Sequence, residues 1–329
     1  MSDARLIAAL GAVSAAVLCA ALLLGATPMA PSEALAALFG ASDASARTII
    51  WEIRLPRALA AFTVGAALGL CGAALQGLLR NPLADPGVLG VSAAASLGAT
   101  LTLYYGLAAA ATWIMPIAAI VGALLATMLI AALALRTQSI VTLILIGVGL
   151  SSFAGALMAL LLNLAPNPFT LADMVNWTLG TVANRSFADL ALAAPFMIVG
   201  AAILMTSARG LSALSLGEEA AAAIGLDLTR TRLAIVFGTG LATGAAVSIG
   251  GAIGFVGLVA PHIVRPFVAF EPARTLAPAA LLAGALVVAA DIIVRILPTE
   301  SELKLGVIIA LFGAPAFVWI AARRRLGDG

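Results

Sequence analysis

Side chains that could perform catalysis or bind a metal are scarce in this sequence. It contains one histidine, His262, two cysteines, Cys19 and Cys71, and one lysine, Lys304. Both cysteines lie in apolar runs, so their spacing indicates neither a disulfide framework nor a thiolate cluster. His262 stands alone in APHIVRP, where a structural role is favoured over haem ligation. We therefore expect no metal site and no resident cofactor in this chain.

The sequence also lacks the patterns of two enzyme classes. A nucleotide-binding P-loop places its lysine in GxxxxGK before Ser or Thr, whereas Lys304 lies in ELKLG. An intramembrane serine hydrolase needs a nucleophile beside a partnered base, and neither GVSA at Ser92 nor GLSS at Ser151 supplies that pattern. We expect a protein that is not an enzyme, and any energy from ATP would have to come from another polypeptide.

Composition predicts that the elements holding these residues lie in a membrane. Of 329 residues, 63% are hydrophobic and 10% are charged, with a mean hydropathy of +1.16. Soluble domains carry about 25% charged residues. A formal net charge of +2 does not indicate a nucleic-acid partner. Because a spanning helix uses about 20 residues, we interpret 1–329 as one transmembrane domain in contact with lipid.

Hydropathy predicts an all-α polytopic membrane protein with about ten transmembrane helices. The predicted spans are residues 5–27, 57–79, 88–106, 112–135, 139–163, 190–208, 231–250, 252–270, 275–297 and 304–322. The apolar part of the first span is longer than a signal-peptide core, so we expect it to be retained. Small residues recur every four positions in two spans, which is typical of close helix packing. They are Gly65, Gly69, Ala73 and Gly77 in the second span, and Gly240, Gly244 and Ser248 in the seventh.

The arginines indicate how the spans are oriented. Their distribution favours both termini in the cytoplasm, with RRR at 323–325 as the strongest element. Loops 28–56 and 164–189 then lie outside, and 209–230 lies inside. In loop 164–189 we predict an amphipathic stretch around 174–179, and Ser186 with Asp189 matches a helix capping box.

Five ordered motifs extend through nearly the whole chain. They are RLPR at 54–57, GLLRNPLADPGVLGVSAAA from 77, LSLGEEAAAAIGLD from 214, GAIGFVGLVAPHIVRPF from 251 and GVIIALFGAPAFVWIAARRR from 306. Together they resemble the permease subunits of the iron-chelate, haem and cobalamin class of ABC importers, the FecCD-type transport family, which has the type II importer fold.

The resemblance implies a set of partners and a location. We expect a second permease copy forming a homodimer, two ATPase subunits that carry ATP and Mg, and a periplasmic substrate-binding protein. The location would be the bacterial inner membrane, with a multi-pass topology. A ferric siderophore leads the substrate classes, followed by haem and then by cobalamin or an oxyanion. Since the binding protein does most of the selecting in such importers, this chain carries little information about substrate identity.

The resemblance also assigns a coupling segment, 213–228, that would dock on the ATPase from the cytoplasm. Its contact residues would be Leu216, Gly217, Glu218, Glu219, Ala220, Ala222 and Gly225. The alternative is an ordinary solvated loop helix, because Glu and Ala are common helix formers.

Two further residue sets follow from the resemblance. Arg54, Arg57 and Arg295 would receive acidic residues of the binding protein, for which bidentate guanidinium–carboxylate pairs are suited. The alternative for them is snorkelling at the membrane interface, and Asp291, one turn before Arg295, could pair with it internally. Residues 137–139, which are Thr137, Gln138 and Ser139, would narrow the cytoplasmic exit, unless their hydroxyls bond only their own backbone.

A secondary transporter or channel is the alternative function. Proton coupling would need ionisable groups near the bilayer midplane. Nearly all charges map to span ends, and the deep acid candidate, Asp291, has Arg295 nearby. The sequence therefore favours the ATP-driven importer.

Overall fold

A computed structural model describes residues 2–40, 42–136, 140–298 and 302–325. The helices are α1 Asp3–Leu23, α2 Pro31–Leu38, α3 Ala44–Thr48, α4 Leu55–Leu78, α5 Val91–Tyr104, α6 Ile114–Ala134, α7 Ile140–Asn163, α8 Pro168–Thr178, α9 Phe187–Thr206, α10 Ala208–Leu214, α11 Glu218–Ala223, α12 Leu228–Gly250, α13 Val256–Val264, α14 Pro272–Ile296 and α15 Leu305–Arg325. A π-helical segment, Ile49–Arg54, joins α3 to α4, and 3-10 turns occupy Leu107–Ala109 and Arg265–Val268.

The predicted all-α polytopic fold is confirmed. Within the described residues, seven helices are long and apolar enough to cross a membrane: α1, the continuous segment Ala44–Leu78, α6, α7, α9, α12 and α14. Three shorter apolar helices match the remaining predicted spans, at Val91–Tyr104, Val256–Val268 and Leu305–Val318. Each predicted span therefore has its own helix.

The long connections are helical as well. Helices α2 and α3 and the π-helical segment fold the first of them around a small apolar core of Ala34, Ala37, Ala46 and Ile50. Helix α8 lies in the second, over the predicted amphipathic stretch, and buries Met174 and Trp177. The predicted capping box at Ser186 and Asp189 is confirmed at the start of α9. The third connection forms α10 and α11.

Close backbone packing explains the small residues in the core. Helix α4 makes its most extensive contacts with α14. A Cβ added at Gly65 would lie 2.5 Å from the Ala283 carbonyl oxygen of α14, and one at Gly72 would lie 1.8 Å from the Gly257 oxygen of α13. A Cβ at Gly240 of α12 would lie 2.0 Å from Thr127 Oγ1 of α6. The glycines thus set the interhelical distances, as expected where apolar lipid removes the hydrophobic drive to associate.

The two ends of the bundle differ in character. Helix α4 has 24 residues and therefore spans about 36 Å. We call the end where α4 begins the arginine end, and the end where it finishes, beside α10 and α11, the α11 end. Helix α1 begins at the α11 end, since Asp3 forms an ion pair with Arg274 at the start of α14. It finishes at the arginine end, beside Arg54.

Candidate functional site

At the α11 end, the chain makes a short helix that stands between two glycines. Gly217 has φ +101° and Gly225 has φ +89°, which is backbone that an L side chain adopts only with strain. These two residues let the chain turn sharply on either side of Glu218–Ala223. The helix is thereby separated from α10 and α12 at its flanks.

Apolar side chains on this segment are exposed. Leu216 and Ile224 are each 67% exposed, while Ala221 faces the protein and is buried. Glu219, Ala220, Ala222 and Gly225 are exposed as well. Large exposed apolar residues around a short helix are typical of a contact surface for another macromolecule.

The two glutamates of α11 are not equivalent. Glu218 forms an ion pair with Arg232 near the start of α12, with 2.6 Å between Oε2 and Nη2. Glu219 is exposed and, together with Leu216, Ala220 and Arg80, borders a shallow depression. Glu218 therefore fixes α11 to α12, and Glu219 is the more exposed of the two glutamates. Sequence reasoning treated the two alike and missed Arg232.

At the arginine end, Arg54, Arg57 and Arg295 line one pocket of about 250 Å³. Their three sequence positions are distant, but the start of α4 and the end of α14 lie side by side. The carboxyl end of α1 and the segment before α15 complete the walls, including Thr27 and Glu302. The three predicted residues are thus brought together.

Two of these arginines cap the end of α1. Arg54 Nη1 donates to the carbonyl oxygens of Leu22 at 2.6 Å and Leu23 at 3.0 Å. Arg295 Nη1 donates to the Ala21 oxygen at 3.0 Å. The last carbonyls of a helix have no intrahelical donor and carry partial negative charge. Cations placed here therefore satisfy the end of α1 and hold it against α4 and α14.

Asp291 connects Arg57 to Arg295. Arg57 Nε lies 3.0 Å from Asp291 Oδ1, and Arg57 Nη2 lies 2.8 Å from the same oxygen. Arg295 Nε lies 3.0 Å from Asp291 Oδ2. Asp291 is 0% exposed. Each of its two carboxylate oxygens contacts a guanidinium group. The internal Asp291–Arg295 pair is confirmed, whereas the pairing with Arg57 was not predicted.

A second carboxylate reaches Arg57 from the segment before α15. Arg57 Nη2 donates to Glu302 Oε1, and the Glu302 side chain is 40% exposed. Sequence reasoning missed Glu302, because nothing in ELKLG indicates which cation it would meet. The guanidinium groups of Arg54, Arg57 and Arg295 hydrogen-bond to protein acceptors. In simple snorkelling they would extend to the membrane interface instead.

The turn after α4 is held in place by two polar side chains, the buried Gln76 and the half-buried Asp85. Gln76 Nε2 donates to the carbonyl oxygens of Ala84 at 3.2 Å and Gly257 at 3.3 Å, and so joins this turn to α13. Asp85 Oδ1 accepts from the Gly87 N–H at 2.8 Å. Burial raises the pKa of the Asp85 carboxyl above its ordinary value of 3.8, and the Gly87 hydrogen bond partly opposes this.

Another cation outside the spans lies next to an aromatic ring. The Arg185 guanidinium lies 5.2 Å from the Trp177 ring centroid, a distance typical of cation–π contacts. Burial lowers the pKa of Arg185, and the nearby Asp189 charge partly opposes this change. The predicted gate residues Thr137, Gln138 and Ser139 lie outside the described residues.

A bundle of apolar helices, with a short exposed helix at one end and a buried charge cluster at the other, is the architecture of a multi-pass membrane protein. The model of the FecCD transport family matches residues 13–323. The chain therefore belongs to the FecCD transport family, whose members are permease subunits of ABC importers.

Relatives and a solved structure agree with this family. An uncharacterized ABC transporter permease, YvrB of Bacillus subtilis, is 38% identical, and the match covers 88% of this chain and 82% of that protein. The vitamin B12 import permease BtuC of Klebsiella pneumoniae is 39% identical, and the match covers 86% of this chain and 85% of that protein. The cobalamin import permease BtuC of Halobacterium salinarum is 38% identical, and the match covers 88% of this chain and 77% of that protein. A solved inward-facing structure, of a transporter assigned to the metal-chelate ABC type, superposes with a TM-score of 0.86 at 28% identity, covering 97% of this chain and 99% of that one.

Proposed function

We propose that this chain carries a metal chelate across the bacterial inner membrane, as the permease of an importer powered by a separate ATPase. The observation that supports the proposal is the exposure of side chains on and beside α11. Its exposed Leu216, Glu219 and Ile224 form a small surface that is apolar at its edges and acidic in its centre. Such a surface suits docking in a cleft that offers apolar and basic groups.

The assembly follows from that docking. The full contact set comprises Leu216, Gly217, Glu218, Glu219, Ala220, Ala222 and Gly225. Two ATPase subunits, each binding ATP and Mg, would meet two permease copies as a homodimer. The α11 end then lies in the cytoplasm, and because α1 begins at this end, the amino terminus lies there too. We propose the same side for the carboxyl terminus, and residues 137–139 as the gate that narrows the cytoplasmic exit.

The arginine end would face the periplasm and receive the substrate-binding protein. Arg54, Arg57 and Arg295 are the proposed docking cations. Their guanidinium groups are largely engaged inside the chain, so a carboxylate from the partner would have to reach them through the pocket that they line. Docking by this route depends on geometry as well as charge, which suits selection of one cognate binding protein.

Cobalamin is the first substrate to test within the metal-chelate class. Two relatives at 38–39% identity are named as permeases for vitamin B12 or cobalamin. A ferric siderophore and haem belong to the same broad class and remain the next candidates. All three are large chelates, so transport by one type of weakly polar pathway is chemically reasonable.

The test is uptake into vesicles that contain the permease, its ATPase and its binding protein. We expect labelled cobalamin, a ferric siderophore or haem to accumulate with ATP, to be blocked by vanadate, and to be insensitive to a proton ionophore. Uptake that collapses with the ionophore and ignores vanadate would instead support a secondary transporter. That alternative would have to use Asp291, which is held by two arginines.

A further inference from the structure

The arginine pocket contains two carboxylates that differ sharply in how firmly they are held. Asp291 is fully buried and contacts two guanidinium groups. The Glu302 side chain is 40% exposed, and within the part of the chain that the structure describes its ion pair is with Arg57. Asp291 is therefore a fixed part of the cluster, whereas Glu302 can leave Arg57 for solvent without exposing a buried charge.

The pocket also retains an unsatisfied donor. The Arg295 side chain is only 5% exposed, and among the described residues its Nη2 has no hydrogen-bond partner. A buried donor without an acceptor is costly, so an incoming acceptor would gain from bonding it. Three arginines against Asp291 and Glu302 leave the cluster with a net charge of +1, and the departure of Glu302 would raise this to +2. The vacated pocket would thus attract an anion.

From this geometry we propose that the pocket is a carboxylate-exchange site. Glu302 is a removable internal ligand of Arg57, and a carboxylate from outside replaces it and bonds Arg57 and Arg295. The inference rests on the proposed docking function and deepens it, because the incoming carboxylate would belong to an acidic side chain of the binding protein. Glu302 then acts as an internal competitor that weakens unspecific binding of anions.

The exchange can be measured without the binding protein. We would use N-acetyl-glutamate amide as the probe, with the neutral N-acetyl-glutamine amide as its control, on the full permease–ATPase complex in nanodiscs. Saturation-transfer NMR reports weak binding of such ligands. In Glu302→Gln, we expect the glutamate probe to bind about tenfold more tightly than in wild type, because one charge-assisted competitor has been removed.

Matched variants make the result specific. Glu52→Gln removes an exposed carboxylate from the same end of the molecule, outside the pocket, and should bind the probe as wild type does. Adding Arg295→Ala to Glu302→Gln should abolish the gain. Should Glu302→Gln fail to accumulate, Glu302→Ala removes the same carboxylate and should give the same gain.

Two outcomes would overturn the proposal: equal probe affinity in wild type and the Glu302 variants, or equal binding of the glutamate and glutamine probes. The docking function has a separate readout, which is the affinity of the binding protein for the wild-type and Glu302→Gln complexes. A gain for the probe with no gain for the binding protein would support the exchange site and contradict docking at it.

Discussion

At the scale of single residues, ion pairs connect helices at both ends of the molecule. Asp291 holds Arg57 and Arg295 and so connects α4 to α14, while Glu218 and Arg232 connect α11 to α12. Each pair joins residues whose sequence separation gives no hint of contact, except Asp291 and Arg295, which are four residues apart. Only that last pairing could be predicted from the sequence.

Asp291→Asn should destabilise the bundle by about 3 to 5 kcal/mol, because two buried guanidinium groups lose their compensating charge. Unfolding of purified protein in detergent, followed by loss of helical circular dichroism, measures this. Asp173→Asn, at an exposed position of α8, is the control and should be close to neutral. Equal stability of the two variants would show that Asp291 does not anchor the arginine end.

Asp85 should make stability depend on pH. Burial raises the pKa of its carboxyl in the folded chain above the ordinary 3.8, so the folded chain binds the proton more tightly than the unfolded chain. Asp85 therefore favours folding at acidic pH, and this contribution declines as the pH rises from 3.8 through the raised pKa. Asp85→Asn keeps the acceptor for the Gly87 N–H and removes the titration.

Stability curves against pH test this expectation. At neutral pH, Asp85→Asn should be at least as stable as wild type, and its curve should be flatter across the acidic range. Glu52→Gln should retain the wild-type curve. If Asp85→Asn is instead less stable than wild type at neutral pH, the fold needs the charged carboxylate.

At the scale of elements, the spans were predictable and their packing partners only partly so. Length and apolar content decide whether a helix can cross a membrane, and both are local properties of the sequence. The four-residue stripe in α4 predicted a close contact, but which helix lies against it depends on the whole bundle. The spacing predicted neither Gly257 opposite Gly72 nor the π-helical turn that leads into α4.

Gly72→Ala should be poorly tolerated, because its Cβ would lie 1.8 Å from the Gly257 oxygen and would force α4 and α13 apart. We expect a loss of about 1 to 3 kcal/mol, as for other overpacked cores. Gly155→Ala in α7, where no atom of the described residues lies within 4 Å of the new Cβ, is the matched control. Comparable yield and thermal stability for both variants would contradict the close approach.

For α11, Glu219→Lys and Ile224→Ser should each weaken association with the ATPase by about tenfold, since each removes a contact at the centre or edge of the proposed surface. Both residues are exposed, so the fold should be retained. Glu33→Lys, an exposed acid in α2 at the opposite end, is the control. Unaltered co-purification of the ATPase with both α11 variants would refute this docking surface.

Glu218 is less suitable for that test. Its substitution by Lys would break the ion pair with Arg232 and release α11 from α12, so a loss of coupling would have two causes. The family resemblance assigned Glu218 and Glu219 together, and the structure gives the physical reason to separate them.

At the scale of the whole molecule, α1, α4 and α14 form a single block. Helix α1 has few buried residues, yet it is held at one end by Asp3 and Arg274 and at the other by Arg54 and Arg295. Helix α14 contributes a residue to both attachments. This block could not be predicted from the sequence, because its joints are long-range contacts from side chain to backbone and from side chain to side chain.

A cross-link between Asp3→Cys and Arg274→Cys, in a Cys19→Ser background, should leave transport unchanged, because it joins parts that already move together. Uptake before and after reduction of the cross-link measures this in one preparation. Transport that stops on oxidation and resumes on reduction would show that α1 moves against α14 during the cycle.

A helix such as α1, which is attached to its neighbours at both ends, cannot act as a hinge between them. If a transport pathway is to open alternately to either side, the helices that move must be ones without attachments at both ends. Among the described residues, α7 and α15 make few contacts with the other helices. The static frame would then fix where the motor pushes, and the looser helices would determine how wide the route becomes for its cargo.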